Sequence, residues 1–168
     1  MRIPLLITLA LFPLVSNAFC FEEAAKRFDV NVDLLRAVCF TESSLRANVI
    51  NSANSDGSSD YGLCQVNSWW LPKLAKYGIT KESLLNDPCE NTLVSAWILA
   101  GNFEVTNDGW KAVGAYNAGW LKTPEAELAR TTYINLVKTN LERMTSEKSR
   151  HTNVGPAKRL RVQSELRE

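Results

Sequence analysis

A mainly α (α+β) single domain carrying one small β-hairpin is the fold class this sequence predicts, and three observations predict it. The chain has 168 residues, 45% of them hydrophobic and 22% charged, which is enough for one well-formed core and short of what two domains need. Apolar residues recur at helical spacing through most of its length, between recognisable caps. One stretch, 47–67, abandons that period for turn-forming residues between short apolar runs, and a sheet is expected only there.

The first eighteen residues read as an export signal rather than as part of the fold. Met1-Arg2 supplies a positive charge, Ile3 to Val15 is an apolar run broken by Pro4 and Pro13, and Ser16-Asn17-Ala18 precedes the expected first mature residue, Phe19. The run is too short to anchor the chain in a membrane, and Phe19 before Cys20 does not suit a lipoprotein. An exported chain folds where thiols oxidise, so Cys20, Cys39, Cys64 and Cys89 read as two disulfides, with three pairings open. No C-x-x-C pair occurs and the single histidine, His151, is remote from the cysteines, so no metal is expected, and no cofactor.

Cys20 to Phe28 predicts a short amphipathic helix with Phe21, Ala24, Ala25 and Phe28 inward. Asn31 reads as the N-cap of the next helix, Leu34 to Glu42, with Asp33 suited to its first turn. On that helix Leu35, Val38, Cys39 and Glu42 fall on one face, so a carboxyl group stands where a Leu would be expected. Desolvation at the inner end of an apolar stripe raises a carboxyl pKa toward neutrality, which makes Glu42 the candidate general acid.

The segment Asn51-Ser-Ala-Asn-Ser-Asp56-Gly57-Ser-Ser-Asp60-Tyr61-Gly62 predicts the hairpin, flanked by Val49-Ile50 and by Leu63-Cys64-Gln65-Val66. Trp69 to Tyr77 and Lys81 to Leu85 read as short helices. Asp87 as cap, Pro88 at the first helical position and Glu90 then open the central helix, which carries Leu93, Ala96, Trp97, Ala100 and Phe103 at helical spacing and Ile98 and Leu99 besides. Asp108 caps another helix that ends near Gly119. Pro124 precedes the last, about Glu125 to Met144, with Leu128, Thr132, Tyr133, Leu136 and Val137 on one side. Residues 145–168 read as a basic, flexible or weakly helical tail in which Lys158, Arg159 and Arg161 can meet an acidic surface or a partner protein.

Charge is unevenly spread. Residues 138–168 hold eight Lys/Arg against four Asp/Glu, whereas 19–137 hold ten against fourteen. An acidic body argues against nucleic acid as a partner. Asp60, among hydroxyls and backbone amides that can solvate a charge, supplies a second carboxylate in an environment opposed to that of Glu42. Two carboxyl groups under opposed pressures are the equipment of glycosidic bond cleavage. The pattern Asp56-x-Ser58-x-Asp60 lacks the glycine and the bidentate Glu of a calcium loop.

Glu42-Ser43, Gly62-Leu63-Cys64-Gln65-Val66-Asn67 and Ala115-Tyr116-Asn117, in this order and at these separations, resemble the three motifs of lytic transglycosylases with a lysozyme-like domain. The likeness extends through Cys20, Asp87-Pro88-Cys89, Ala96-Trp97-Ile98-Leu99 and Ala112 to Gly119, and covers about residues 19 to 140. It is nearest to the small specialised transglycosylases that accompany type III and related secretion systems. A second, local likeness joins Asp56 to Trp70 with the hairpin of c-type lysozymes, including the Asp that acts there as nucleophile or charge stabiliser.

These resemblances imply a lysozyme-like domain over 19–144 with Glu42 and Asp60 on opposite sides of a cleft. They imply a substrate, the glycan strands of peptidoglycan, cut between N-acetylmuramic acid and N-acetylglucosamine with a 1,6-anhydro product, by a periplasmic monomer beside a secretion-apparatus component. Glu42 and Asp60 would be the catalytic pair. Ser43, Gln65, Asn67, Tyr116, Asn117 and Tyr133 would hold the sugars or the acid, and Trp69, Trp70 and Trp110 are candidate stacking surfaces. Cys20 and Cys89 match cysteines of the small secretion-linked enzymes, whereas Cys64 stands where the family usually has Met; the pairings so implied are Cys20–Cys89 and Cys39–Cys64, with a free thiol at Cys64 as the alternative. A hydrolytic muramidase and a non-catalytic glycan-binding assembly subunit are the competing functions.

Overall fold

The computed structural model describes residues 19–152; the expected signal segment, 1–18, and the chain from 153 onward lie outside the described residues. The first helix, α1 (Phe21–Phe28), buries Phe21, Ala24 and Ala25 and presents Glu22 to Arg36 of the next helix in an ion pair. That next helix, α2 (Val32–Ser43), starts at Asn31, whose side chain accepts the Leu34 amide at 2.9 Å. Leu35, Val38 and Cys39 of α2 have no exposure, as their spacing requires.

The turn-rich segment forms a three-stranded antiparallel sheet instead of one hairpin: β1 (Ile50–Asn51), β2 (Asp60–Tyr61) and β3 (Val66–Asn67), in that order. Ile50 pairs with Tyr61, and Asp60 pairs with Asn67. Each strand is two residues long, too short to impose an alternating pattern on the sequence. Leu63 to Gln65, which read as strand, instead turn between β2 and β3, because Gly62 and Gln65 take positive φ of 78° and 53°. At Gly62 a Cβ would fall 2.3 Å from both the Asn91 side chain and the Leu84 carbonyl, so only glycine fits.

After a 3₁₀ turn at Ser68–Trp70 come α3 (Leu71–Leu74), a second 3₁₀ turn at Ala75–Tyr77, and α4 (Lys81–Asn86), opened by a capping box of Thr80 and Ser83. The central helix, α5 (Pro88–Val105), begins at Asp87, whose side chain accepts the amides of Cys89 and Glu90. Asp108 caps α6 (Gly109–Ala118) in the same way, and Gly119 ends it at φ 60°.

The last helix, α7 (Pro124–Thr152), continues beyond Met144, so the first residues of the expected tail are helical, the second of the two states expected for them. The Lys148 ammonium lies 3.2 Å from Asp33 at the start of α2. The inward side of α7 is narrower than expected: Tyr133 and Val137 are buried, whereas Leu128 and Leu136 are exposed. Arg130, at 2% exposure, fills the space beside Gly114, where a Cβ would meet its side chain at 3.0 Å.

The core falls into two clusters. The larger gathers Leu35, Val38, Leu99, Val113 and Val137 from α2, α5, α6 and α7; the smaller gathers Tyr61, Val66, Leu74, Leu84, Val94 and Ile98 around the sheet. Burying each such side chain is worth about 1.5–3 kcal/mol against leaving it in water. Tyr116 packs against both clusters and so stands at the junction of a helical lobe and a sheet lobe.

Both implied disulfides form, Cys20–Cys89 and Cys39–Cys64, and none of the described cysteines is free. The first ties the entry of α1 to α5. The second joins α2, one turn before Glu42, to the turn after Gly62, and so locks the two lobes together beside the acid.

Candidate active site

Glu42 sits on the last turn of α2, half-buried, with its Oε1 accepting a hydrogen bond of 2.5 Å from the Tyr133 hydroxyl. Burial raises its pKa from the ordinary carboxyl range to about 7; the Tyr133 bond opposes the rise and the negative charge of Asp60 adds to it. A carboxyl group poised near neutrality can both give and take a proton there. The Tyr133 hydroxyl is itself pushed well up by burial and by the neighbouring Glu42, so it stays a donor.

Asp60 is held in a frame of side-chain amides. Asn51 and Asn54 donate to its Oδ2 at 3.0 and 2.9 Å, and Asn67 donates to its Oδ1 at 2.7 Å. Three N–H donors match the acceptor-only, ionised carboxylate. Asn51 lies opposite Asp60 on β1 and Asn67 opposite it on β3, so the register of the sheet supplies two of the three. Sequence reasoning missed Asn51 and Asn54 as supports; an Asn-x-x-Asn spacing just ahead of a turn Asp was the available signal.

Several residues expected to hold the sugars or the acid make bonds that hold the site's frame. Ser43 is 2% exposed; its Oγ donates to the Leu63 carbonyl at 2.6 Å and accepts the Arg46 amide, so it joins the end of α2 to the Gly62 turn. Gln65 is buried and its Nε2 donates to the carbonyls of Val49 and Gly62 at 3.1 and 2.8 Å. Asn67 gives its amide to Asp60 and Ser58 and accepts the Trp69 amide. The physical reason is common to all three: irregular turns leave carbonyls and amides without backbone partners, and nearby polar side chains must satisfy them. Tyr116 donates to the Cys64 carbonyl at 2.9 Å, and burial pushes its hydroxyl pKa up. Asn117, by contrast, is exposed on the last turn of α6.

Asn91 is a third support that the sequence did not reveal. It is fully buried in α5, donates to the carbonyls of Tyr61 and Leu84, and accepts the Cys64 amide at 2.8 Å. It thereby fixes both sides of the Gly62 turn. Among the candidate stacking residues Trp69 is 76% exposed, Trp70 packs edge-on between Trp69 and Trp97, and Trp110 lies under the Lys138 ammonium.

A half-buried acid near neutrality beside a framed carboxylate whose charge it feels is a pairing that suits cleavage of a glycosidic bond. Comparison with known proteins agrees. The family described as Transglycosylase SLT domain matches residues 19–133. The chain is 35% identical over 136 residues to invasion protein IagB of Salmonella typhimurium, covering 81% of this chain and 83% of that protein. It is 42% identical over 122 residues to the X polypeptide of Escherichia coli, covering 71% and 70%, and 31% identical over 141 residues to protein IpgF of Shigella flexneri, covering 84% and 91%. Matched through both lobes and the acid-bearing helix, the chain belongs to the SLT transglycosylase domain family.

Proposed function

We propose that this protein is a lytic transglycosylase that cuts the β-1,4 bond between N-acetylmuramic acid and N-acetylglucosamine in peptidoglycan and leaves a 1,6-anhydro end. The observation that carries the reading is Glu42: burial brings its pKa to about 7 and Tyr133 orients it. Protonated Glu42 gives its proton to the glycosidic oxygen as the bond to C1 breaks and positive charge builds on the muramic ring. Ionised Glu42 then takes the proton of that sugar's 6-hydroxyl, whose oxygen closes on C1. The acid is restored and no water is consumed. The attacking hydroxyl is tethered, so the second step gains from proximity. Asp60, fixed by three amides, stabilises the positive ring electrostatically. Asn117 and the exposed Trp69 are the residues offered to the sugars, while Ser43, Gln65, Asn67 and Tyr116 keep the frame in register.

A hydrolytic muramidase is the second reading, favoured by the same framed Asp60, which can support water as the final acceptor of the glycosyl group. Mass spectrometry of muropeptides released by the mature protein, Phe19 onward, decides between them. Anhydro ends, one water lighter than reducing ends, are expected; reducing ends would make the protein an exported lysozyme. No product from wild type, with glycan binding retained, would leave a binding subunit.

Export to the periplasm accords with the two disulfides, and among the described residues no helix is long and apolar enough to cross a membrane. Action beside a secretion apparatus rests on the motif resemblance and accords with a relative named as an invasion protein.

A further inference from the structure

The chain that leaves β3 runs directly from the Asp60 frame into an exposed aromatic and cationic face. The Asn67 side chain joins the two, since its Nδ2 donates to Asp60 Oδ1 at 2.7 Å and its Oδ1 accepts the Trp69 amide at 2.8 Å. From Ser68 to Tyr77 the backbone is a 3₁₀ turn, α3 and a second 3₁₀ turn. Trp70, Leu71 and Leu74 pack onto the sheet cluster, whereas Trp69, Lys73 and Lys76 stay exposed. Tyr116, close enough to Glu42 and Asp60 to feel both charges, packs onto the same cluster as Trp70 and Trp97.

Lys73 is held on this face by aromatic rings and by no carboxylate. Its Nζ lies 4.5 Å from the ring centre of Trp97 and 5.7 Å from that of Trp70, two rings that are themselves packed edge-on. An indole face attracts an ammonium without neutralising it. Among the described residues no acidic side chain pairs with Lys73 or Lys76. Residues 61–86 hold three Lys against one Glu, whereas the rest of 19–137 holds seven Lys/Arg against thirteen Asp/Glu. A cationic strip thus stands beside the Asp60 frame in an otherwise acidic body, and its charge is complementary to an anion from outside.

We propose that Lys73, with Lys76 behind it, binds a carboxylate carried by the muramyl residues of the glycan strand, so that the protein selects acid-bearing muramyl strands over neutral amino-sugar polymers. This deepens the transglycosylase reading above and rests on it. Of the two alternating sugars only the muramyl residue carries a lactyl substituent, which ends in a carboxylate or continues as a peptide with carboxylates of its own. Trp69 and Lys73 are four residues apart in a helical run, which makes them neighbours at about 6 Å between Cβ atoms. A sugar lying on the exposed Trp69 therefore has its substituents within reach of the ammonium. The two indoles restrict the Lys73 stem before binding, so pairing costs less ordering than at a free surface lysine. Asp60 repels the group that Lys73 attracts, and the two charges together set the register of an alternating strand along the sheet lobe.

The test reads binding without cleavage, by calorimetry on Glu42→Gln with three ligands: muramyl strands bearing peptide stems, the same strands stripped to the bare lactyl carboxylate, and neutral N-acetylglucosamine oligomers. Adding Lys73→Met, which keeps an apolar stem on the indoles, should weaken binding of a muramyl ligand about threefold to fivefold at low salt and leave the neutral oligomers unchanged. The difference should fade as salt rises to about 0.5 M, and Lys73→Arg should restore most of the affinity. A loss on stem-bearing strands assigns the carboxylate to the peptide, and a loss on stripped strands assigns it to the lactyl group. No loss on either muramyl ligand, an equal loss on the neutral oligomers, or the same loss in Lys26→Met on α1 would overturn the proposal. If Glu42→Gln bound none of the three, the proposal would fall together with the reading it rests on. Because no product is measured, the choice between anhydro and reducing ends does not enter the result.

Discussion

Glu42 is asked to be an acid at neutral pH, and two neighbours set how well it can be one. Burial and the charge of Asp60 raise its pKa to about 7, while the Tyr133 hydroxyl favours the ionised form and pulls the other way. The rate should therefore fall as pH rises through about 7, and Glu42→Gln should lower cleavage by about 10²–10⁴-fold, the usual worth of a general acid, with glycan binding kept. Tyr133→Phe removes the opposing donor but keeps the ring, so the pKa of Glu42 should rise and the alkaline limb of the rate profile should move up with it. A limb that stays put would assign the pH dependence to another group. Glu42 was legible because a carboxyl interrupted an apolar stripe whose period could be counted. The frame around Asp60 was not, because Asn51, Asn54 and Asn67 come from irregular backbone, and their convergence exists only once the sheet has paired.

At the scale of elements, α2 and the Gly62 turn are independent pieces of chain that must keep one distance. The Cys39–Cys64 bond, Ser43 on the Leu63 carbonyl, and Asn91 on both sides of the turn fix it together. The disulfide closes a sequence separation of 25 residues, worth about 3.5 kcal/mol on the chain-entropy account. Cys39→Ala/Cys64→Ala should accordingly lower unfolding stability by about 2–4 kcal/mol in urea titrations. It should also lower kcat more than stability alone explains when assayed well below the unfolding transition, since Asp60 would no longer be held against α2. Unchanged kcat there would mean that Ser43 and Asn91 suffice. The helices and their caps at Asn31, Asp87 and Asp108 were legible because side-chain chemistry at a helix start is local. The far end of α7 was not legible as firm helix, only as a flexible or weakly helical stretch: its residues beyond Met144 carry no apolar period, and the pair that Lys148 makes with Asp33 is distant in sequence. Nor were the strands, each too short for alternation to show.

For the whole molecule, the same shift that suits Glu42 to proton transfer makes the fold depend on pH. A carboxyl whose folded pKa is raised favours the folded state while it is protonated in both states, and that contribution is full below about 4.5 and gone once pH has risen through about 7. Glu22, Asp56 and Glu127 act in the opposite sense, because hydrogen bonds hold their folded pKa values below the ordinary range; their contributions are present above the unfolded values and fade as pH falls. These are surface groups, screened by water, whereas Glu42 lies between the two lobes. Between pH 5 and 8 its term therefore dominates, and wild type should lose about 2 kcal/mol of unfolding free energy across that interval, allowing for partial water access at the carboxyl. Glu42→Gln has nothing to ionise there, so its stability should stay nearly level and exceed that of wild type at pH 8. Urea unfolding of both proteins at the two pH values measures the difference directly. Equal slopes would mean that Glu42 titrates freely in the folded protein, and the acid of the proposed reaction would then have to be sought elsewhere.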